Sequence, residues 1–171
     1  MYNIWKTMTN KSIYHYLKIV VFIFLVIPIT HAAAAQAPDF ELPTDTGKIN
    51  LSDLKNKVVY LDFWSSWCDP CRKSFLWMDE MQRRYGENGL VVVAVNLDKD
   101  RALANKFLKK IPVKFTIAYD PEGVLAEKYD VRGMPSSYII SREGELVKTN
   151  IGFRVEDALE VENQLRLSLE H

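Results

Sequence analysis

Apolar positions gather first in one unbroken run, Ile19 to Ile29, and then recur along the chain in short bursts divided by polar stretches. Val58 to Phe63 (VVYLDF) is a burst of branched and aromatic residues broken by a single acid, Asp62, and predicts a strand. Pro70 to Tyr85 predicts a helix: Pro70 falls in its opening turn, Phe75, Trp77, Met78 and Met81 form the stripe that would meet a sheet, and Gly86 is placed as a stop. Leu90 to Asn96 (LVVVAVN) is apolar on both faces, as expected of an interior parallel strand covered by helices. Arg101 to Ile111 predicts the next helix, with Asp100 placed to cap it and Pro112 to end it. A shorter strand over Phe115 to Ala118, a turn at Asp120-Pro121-Glu122-Gly123 and a brief helix over Val124 to Tyr129 follow. Ser137 to Ile140 and Leu146 to Ile151 predict a hairpin around Arg142-Glu143-Gly144, and Val155 to Leu169 an amphipathic closing helix. Ahead of the series, Asp39 to Asn50 reads as extended chain turning at Thr46-Gly47, and Leu51 to Asn56 as a turn of helix capped by Ser52.

The order β-α-β-α-β-α-β-β-α predicts an α/β fold: a central mixed sheet flanked by helices on both faces. Residues 36–171 form that one domain. Residues 1–35 read separately, because the 11-residue apolar run follows Lys6, Lys11 and Lys18 and precedes the small residues Ala32 to Ala35, the layout of a secretory signal peptide. The run is shorter than the roughly 20 residues of a spanning helix, and the alternative is an uncleaved N-terminal anchor that tethers the domain to a membrane. Either reading places the domain outside the cytoplasm, periplasmic and soluble after cleavage in the first case. The chain balances 22 basic against 22 acidic residues, so without the three leader lysines its charge is −3. A mildly acidic body with no basic block excludes nucleic-acid binding, and Lys109-Lys110 and Arg83-Arg84 read as solvated helix faces.

The only cysteines, Cys68 and Cys71, enclose two residues in Trp67-Cys68-Asp69-Pro70-Cys71, directly between the first long strand and its helix. A structural staple would bridge distant segments, because cross-linking so small a loop removes little entropy from the unfolded chain. A zinc site needs about four ligands, and the histidines are His15, His31 and His171. No metal is therefore expected. The placement suits a redox couple: helix N–H groups and the macrodipole stabilise a thiolate at Cys68, while Cys71 lies one turn inside. Cys68 would attack a disulfide and Cys71 would resolve the mixed disulfide. Asp62, lone among apolar neighbours six residues before Cys68, is the candidate proton acceptor, its pKa raised by burial; a sheet-edge carboxylate facing water is the alternative. A cis peptide before Pro135 would present the backbone of Met134 to a substrate segment. Trp64 and Trp67 would pack the site or shape its rim.

Leu61-Asp62-Phe63-Trp64 leading into Trp67-Cys68-x-Pro70-Cys71, Asn96-Leu97-Asp98 after the next strand, and Val131-Arg132-Gly133-Met134-Pro135 before the hairpin together resemble the thioredoxin superfamily, over about Asp39 to His171. The entry Ala37-Pro38-Asp39-Phe40-x-Leu42 and the segment between Asp98 and Asp120 are similar to its exported TlpA/ResA-type branch of periplasmic or membrane-tethered thiol–disulfide oxidoreductases. The resemblance implies a thioredoxin fold, with Cys68 as nucleophile, Cys71 as resolving thiol, Asp62 as proton acceptor and Pro135 as the cis-proline. It implies protein disulfides as substrates and no cofactor. Two positions depart from the pattern: Ser74 stands where many branch members place a glutamate, and Ala94 where cytoplasmic thioredoxins have a lysine near the buried acid.

Asp69 places a negative charge between the sulfurs, opposing the thiolate and making the couple more reducing, while Arg72 and the helix terminus act the other way. With Pro70 it would tune the couple. The expectation is a reductant, supplied with electrons by a membrane donor protein because the compartment is oxidising. Two rivals remain. A peroxiredoxin-like peroxidase fits the Pro38-Asp39-Phe40 entry and could use Ser65 as its hydroxyl, but has Leu61 in place of its proline and no use for Cys71. A copper chaperone would hold Cu(I) through both thiolates, but that fold adds a histidine missing here.

Overall fold

The computed structural model describes residues 35–170, so the expected leader lies outside the described residues but for Ala35. A small antiparallel hairpin, β1 (Glu41–Pro43) with β2 (Lys48–Asn50), precedes a 3-10 turn at Leu51–Leu54. Then come β3 (Val58–Trp64), α1 (Asp69–Tyr85), β4 (Leu90–Asn96), α2 (Arg101–Lys110) and β5 (Thr116–Tyr119). The chain ends with α3 (Val124–Lys128), β6 (Ser136–Ile140), β7 (Leu146–Ile151), a 3-10 turn at Val155–Asp157, and α4 (Ala158–Glu170).

The five long strands form one sheet in the order β5-β4-β3-β6-β7. β3, β4 and β5 run parallel, whereas β6 and β7 are antiparallel, which is the mixed sheet expected from the element order. Burial explains the strand patterns. β3 is central and buried at every residue, so its sequence is a continuous run; β7 is an edge strand, and half-buried and exposed residues alternate along it. One core lies between the sheet and α1, α2 and α4, built from Tyr60, Trp64, Phe75, Met78, Phe107 and Leu165 among others. The second packs Leu61, Phe63, Val93 and Tyr138 under α3 and the N-terminal hairpin. Even-numbered positions of β3 face the first core and odd-numbered ones the second.

The structure corrects two local expectations. Ser52 is no cap: the turn starts at Leu51 after extended Asn50, and the Asn50 side-chain amide donates to Asp53 at 2.7 Å. Gly86 does end α1, but in right-handed helical conformation, where a Cβ would come within 2.6 Å of the Gln82 carbonyl oxygen. The glycine is needed for close approach rather than for a left-handed turn. Asp100 caps α2 as expected, its carboxylate accepting from the Ala102 N–H at 2.9 Å.

Helix α3 has five residues, too few to hold themselves in helical form. Its start is fixed by buried Asp120, whose carboxylate accepts from the N–H groups of Val124, Leu125 and Ala126 at 2.9–3.0 Å. Asp120→Ala is therefore expected to cost about 2 kcal/mol, the upper range for a lost N-cap, in urea unfolding at neutral pH. An unchanged midpoint would show that packing of Leu125 and Ala126 holds α3 by itself.

Candidate active site

β3 ends at Trp64, and Ser65, Ser66 and Trp67 carry the chain to Cys68, the N-cap of α1, with Pro70 in the first turn. Cys68 and Cys71 are joined by a disulfide, with Cα atoms 5.4 Å apart. The Cys71 N–H points at the Cys68 Sγ from 3.3 Å. That donor and the helix dipole would stabilise a thiolate there once the bond opens. Cys71 is fully buried and Cys68 nearly so, while neighbouring Trp67 is 72% exposed. Trp67 is thus rim, and the packing role falls to Trp64, whose ring meets Phe75 and Phe107 at centroid distances of 4.7 and 4.8 Å.

The loop before the cysteines is tied to the neighbouring strand. Buried Asp98, just past β4, accepts from the Ser66 N–H at 2.9 Å and the Ser66 hydroxyl at 3.0 Å, and is held by the Asn96 amide at 2.8 Å. Leu97 adds an N–H bond to the Trp64 carbonyl at 2.9 Å. Sequence reasoning quoted Asn96-Leu97-Asp98 as a motif without giving Asp98 a task. The signal available was an acid directly after an apolar strand whose neighbour leads into the cysteines.

Asp62 sits in the middle of β3 and is 1% exposed, so the sheet-edge alternative is overturned by its central position. It faces the same core as Tyr60, Trp64 and Cys71, with Ala94 opposite it on β4 and Ser137 opposite on β6. No cation stands across from it on either strand. One carboxyl oxygen, Oδ2, is buried with no hydrogen-bond partner among the described residues. Burial alone pushes its pKa well above the ordinary 3.8. Ser74 does not take over as acceptor, because its hydroxyl is spent donating to the Cys71 carbonyl at 3.0 Å.

The Met134–Pro135 peptide is cis, and Met134 packs against the core cluster that holds both cysteines. Asp69 points away: its side chain is 93% exposed and lies 3.6 Å from the Arg72 guanidinium, which in turn covers the Phe107 ring. Water and Arg72 both weaken what its charge does at the sulfurs. Ser65, a candidate peroxidase hydroxyl, is buried with its Oγ unpartnered, and its carbonyl accepts the Cys68 N–H at 3.2 Å.

The model of the AhpC/TSA family matches residues 33–149. Thiol-disulfide oxidoreductase ResA of Bacillus subtilis is 36% identical over 126 residues, which span 73% of this chain and 70% of that relative. The thioredoxin-like protein YneN of the same organism is also 36% identical, over 73% of this chain and 75% of its own. A Chlorobium tepidum structure assigned as thiol:disulfide interchange protein DsbE superposes with a TM-score of 0.78 at 48% identity, covering 80% of this chain and 96% of that one. The exposed lipoprotein thioredoxin of Streptococcus pneumoniae gives a TM-score of 0.65 at 36% identity, over 75% and 99% of the two chains. These likenesses establish the thioredoxin fold expected from the sequence.

The buried carboxyl makes stability depend on pH. Because its folded pKa lies above the unfolded 3.8, the native chain keeps a proton over the window between those values that the unfolded chain has lost. Stability therefore falls as pH rises through that window. Asp62→Asn, which cannot ionise, is expected to match the parent in acid and to exceed it increasingly toward neutral pH, read as urea midpoints of the oxidised proteins. Parallel curves for the two would mean that Asp62 is not held neutral.

Proposed function

The chain belongs to the AhpC/TSA family and is a thiol–disulfide oxidoreductase, and from that premise we propose that Cys68 attacks a protein disulfide, Cys71 resolves the adduct, and Asp62 takes the Cys71 proton. One observation carries the reading: a redox couple opens a helix, and Cys71 lies in the core faced by a buried carboxyl whose Oδ2 has no hydrogen-bond partner among the described residues. The first step breaks the substrate S–S bond, forms a mixed disulfide on Cys68 and releases one substrate thiolate. In the second, Asp62 accepts the Cys71 proton, the Cys71 sulfur attacks the Cys68 Sγ, and the second substrate thiolate leaves. The oxidised enzyme then waits for two electrons. A carboxylate whose pKa is raised toward working pH suits this duty better than an ordinary one, since it both takes and gives up the proton readily.

The substrate segment docks on the rim formed by exposed Trp67 and by Met134 ahead of Pro135. A reducing role follows from what surrounds Cys68. Strong oxidants stabilise their reduced form, yet here the thiolate would meet only the helix N–H groups, with Arg72 turned to Asp69 and Phe107 and no histidine among residues 35–170. The domain works outside the cytoplasm, fed by a membrane donor protein. The basic-apolar-small layout of residues 1–35 supports that location, and so does the likeness to a pneumococcal thioredoxin described as an exposed lipoprotein. Among the described residues no helix is long and apolar enough to cross a membrane, so any tether would lie in the leader.

Single-turnover reduction of a disulfide peptide separates the roles. Cys68→Ala is expected to abolish the reaction, Cys71→Ala to stop at a trapped mixed disulfide, and Asp62→Asn to slow the second step by about 10²–10³ at neutral pH while leaving the first. Equal loss from Asp62→Asn in both steps would remove Asp62 as acceptor. A reduction potential as high as those of strong oxidants would reverse the proposed direction.

A further inference from the structure

A proton taken by Asp62 has to leave a residue that is 1% exposed. The docked substrate covers the rim at Trp67 and Met134, so the cysteine side is closed when the proton is taken. Across the sheet the surroundings differ. Ser137 lies directly opposite Asp62 in the β3–β6 register, and Asn150 directly opposite Ser137 in the β6–β7 register. Directly opposed residues share a face, with Cβ atoms about 4.5–5.5 Å apart. The Asn150 amide donates to the Ser137 hydroxyl at 3.5 Å. Behind this pair, between β7 and the start of α4, is a cleft of about 300 Å³ whose lining includes Tyr60, Ser137 and Asn150. Exposed Gly152 and Arg154 stand at its mouth. Asp62, Ser137 and Asn150 thus stand side by side on one face of three adjacent strands, and the last two, hydrogen-bonded to each other, line the cleft.

We propose that Ser137 relays the proton between Asp62 and solvent in the cleft beside Asn150, so that proton and substrate use separate doors. It rests on the reading of Asp62 as the acceptor of the Cys71 proton. When the enzyme is oxidised, the Asp62 carboxyl proton passes to the Ser137 Oγ as the Ser137 hydroxyl proton passes to water; the O–H bond on Asp62 breaks and a new one forms on Ser137. No electrons move in this step. Reduction of the disulfide runs it in reverse. Tyr60, beside Asp62 on the same strand, cannot be the carrier: its phenol is held far above its ordinary range by burial first and by Asp62 second, against the stabilising hydroxyl of Ser137. It stays protonated and keeps the passage polar. On β4 neutral Ala94 stands opposite Asp62, Cys71 belongs to the core that Asp62 faces, and Lys148, Arg154, Asp157 and Glu160 line the cleft.

The test uses the full chain in single turnover with an excess of disulfide peptide, in ordinary and in deuterated water, with a pH-indicator dye reading release of the Asp62 proton to solvent after the second step. Ser137→Ala is expected to slow this release about tenfold, below the roughly 10²–10⁴ of direct proton transfer, and to leave the second step unchanged, with Ser137→Thr restoring the release. The equilibrium with glutathione should not move, because a relay changes rates alone. In the unaltered protein the proton release should depend on deuterium content with the curvature of two protons in flight, a reading that needs no variant to fold. Normal proton release in Ser137→Ala while Asp62→Asn slows the second step would overturn the relay and leave the acceptor standing. Normal release in Ser137→Ala together with a normal second step in Asp62→Asn would overturn the acceptor and the relay together. A linear deuterium dependence, or a shifted glutathione equilibrium in Ser137→Ala, would also overturn the relay.

Discussion

The structure turns on one costly arrangement, a carboxyl buried in the central strand with no cation to balance it. Relief for Asp62 is scant: Ala94 stands opposite on β4, Trp64 and Tyr60 flank it along the strand, and its Oδ2 has no hydrogen-bond partner among the described residues. An unsatisfied buried polar group costs about 1–3 kcal/mol, a large part of the stability of a domain this size. A site selected for stability alone would carry an amide or an apolar residue there. In the proposed mechanism the arrangement provides a proton acceptor whose affinity is set by burial.

That acceptor is useful only if the sulfurs are held where the proton can be passed, and the holding is done from β4. Asp98 grips Ser66 by both its N–H and its hydroxyl, and Leu97 bonds the Trp64 carbonyl, so the two parallel strands deliver the loop as one piece. Helix α1 then starts at a fixed point, and its first free N–H groups fall on Cys68. The two acids divide the work. Asp98 is surrounded by donors and holds the loop, whereas the Asp62 Oδ2 has no donor among the described residues, which suits the proton exchange proposed for it.

Patterns on the scale of whole elements were legible in the sequence, because interior strands are apolar throughout and the helix stripes repeat. β4 could be read as interior, and the Cys68–Cys71 pair as the opening of α1, whereas a place for β3 at the sheet edge stayed open. Asp62 was legible as the only polar residue in a buried run. What was not legible depends on partners distant in sequence. Asn50 rather than Ser52 begins the first turn because β2 fixes where the chain leaves the hairpin. The tie from Asp98 to Ser66 spans 32 residues, and the line from Asp62 through Ser137 to Asn150 exists only because three strands come into register. Exposure was also beyond reach: Trp64 and Trp67 look alike in sequence, yet one is core and the other stands in water.

The mixed sheet is what allows both sides of the site to be used. Parallel β3 and β4 end together, so their C-terminal ends build the platform for the cysteines and Asp98. Antiparallel β6 enters on the other side of β3 directly after Met134 and Pro135, and therefore brings the cis-peptide backbone and Ser137 within three residues of each other. Strand β7 then returns along β6 as the sheet edge, where its alternating residues reach solvent. Had β6 been covered by another interior strand on its outer side, Ser137 would be sealed in core and Asp62 would have only the thiol side open to it. The proposed proton route from the deeply buried acid thus depends on a two-strand antiparallel margin beside a parallel centre.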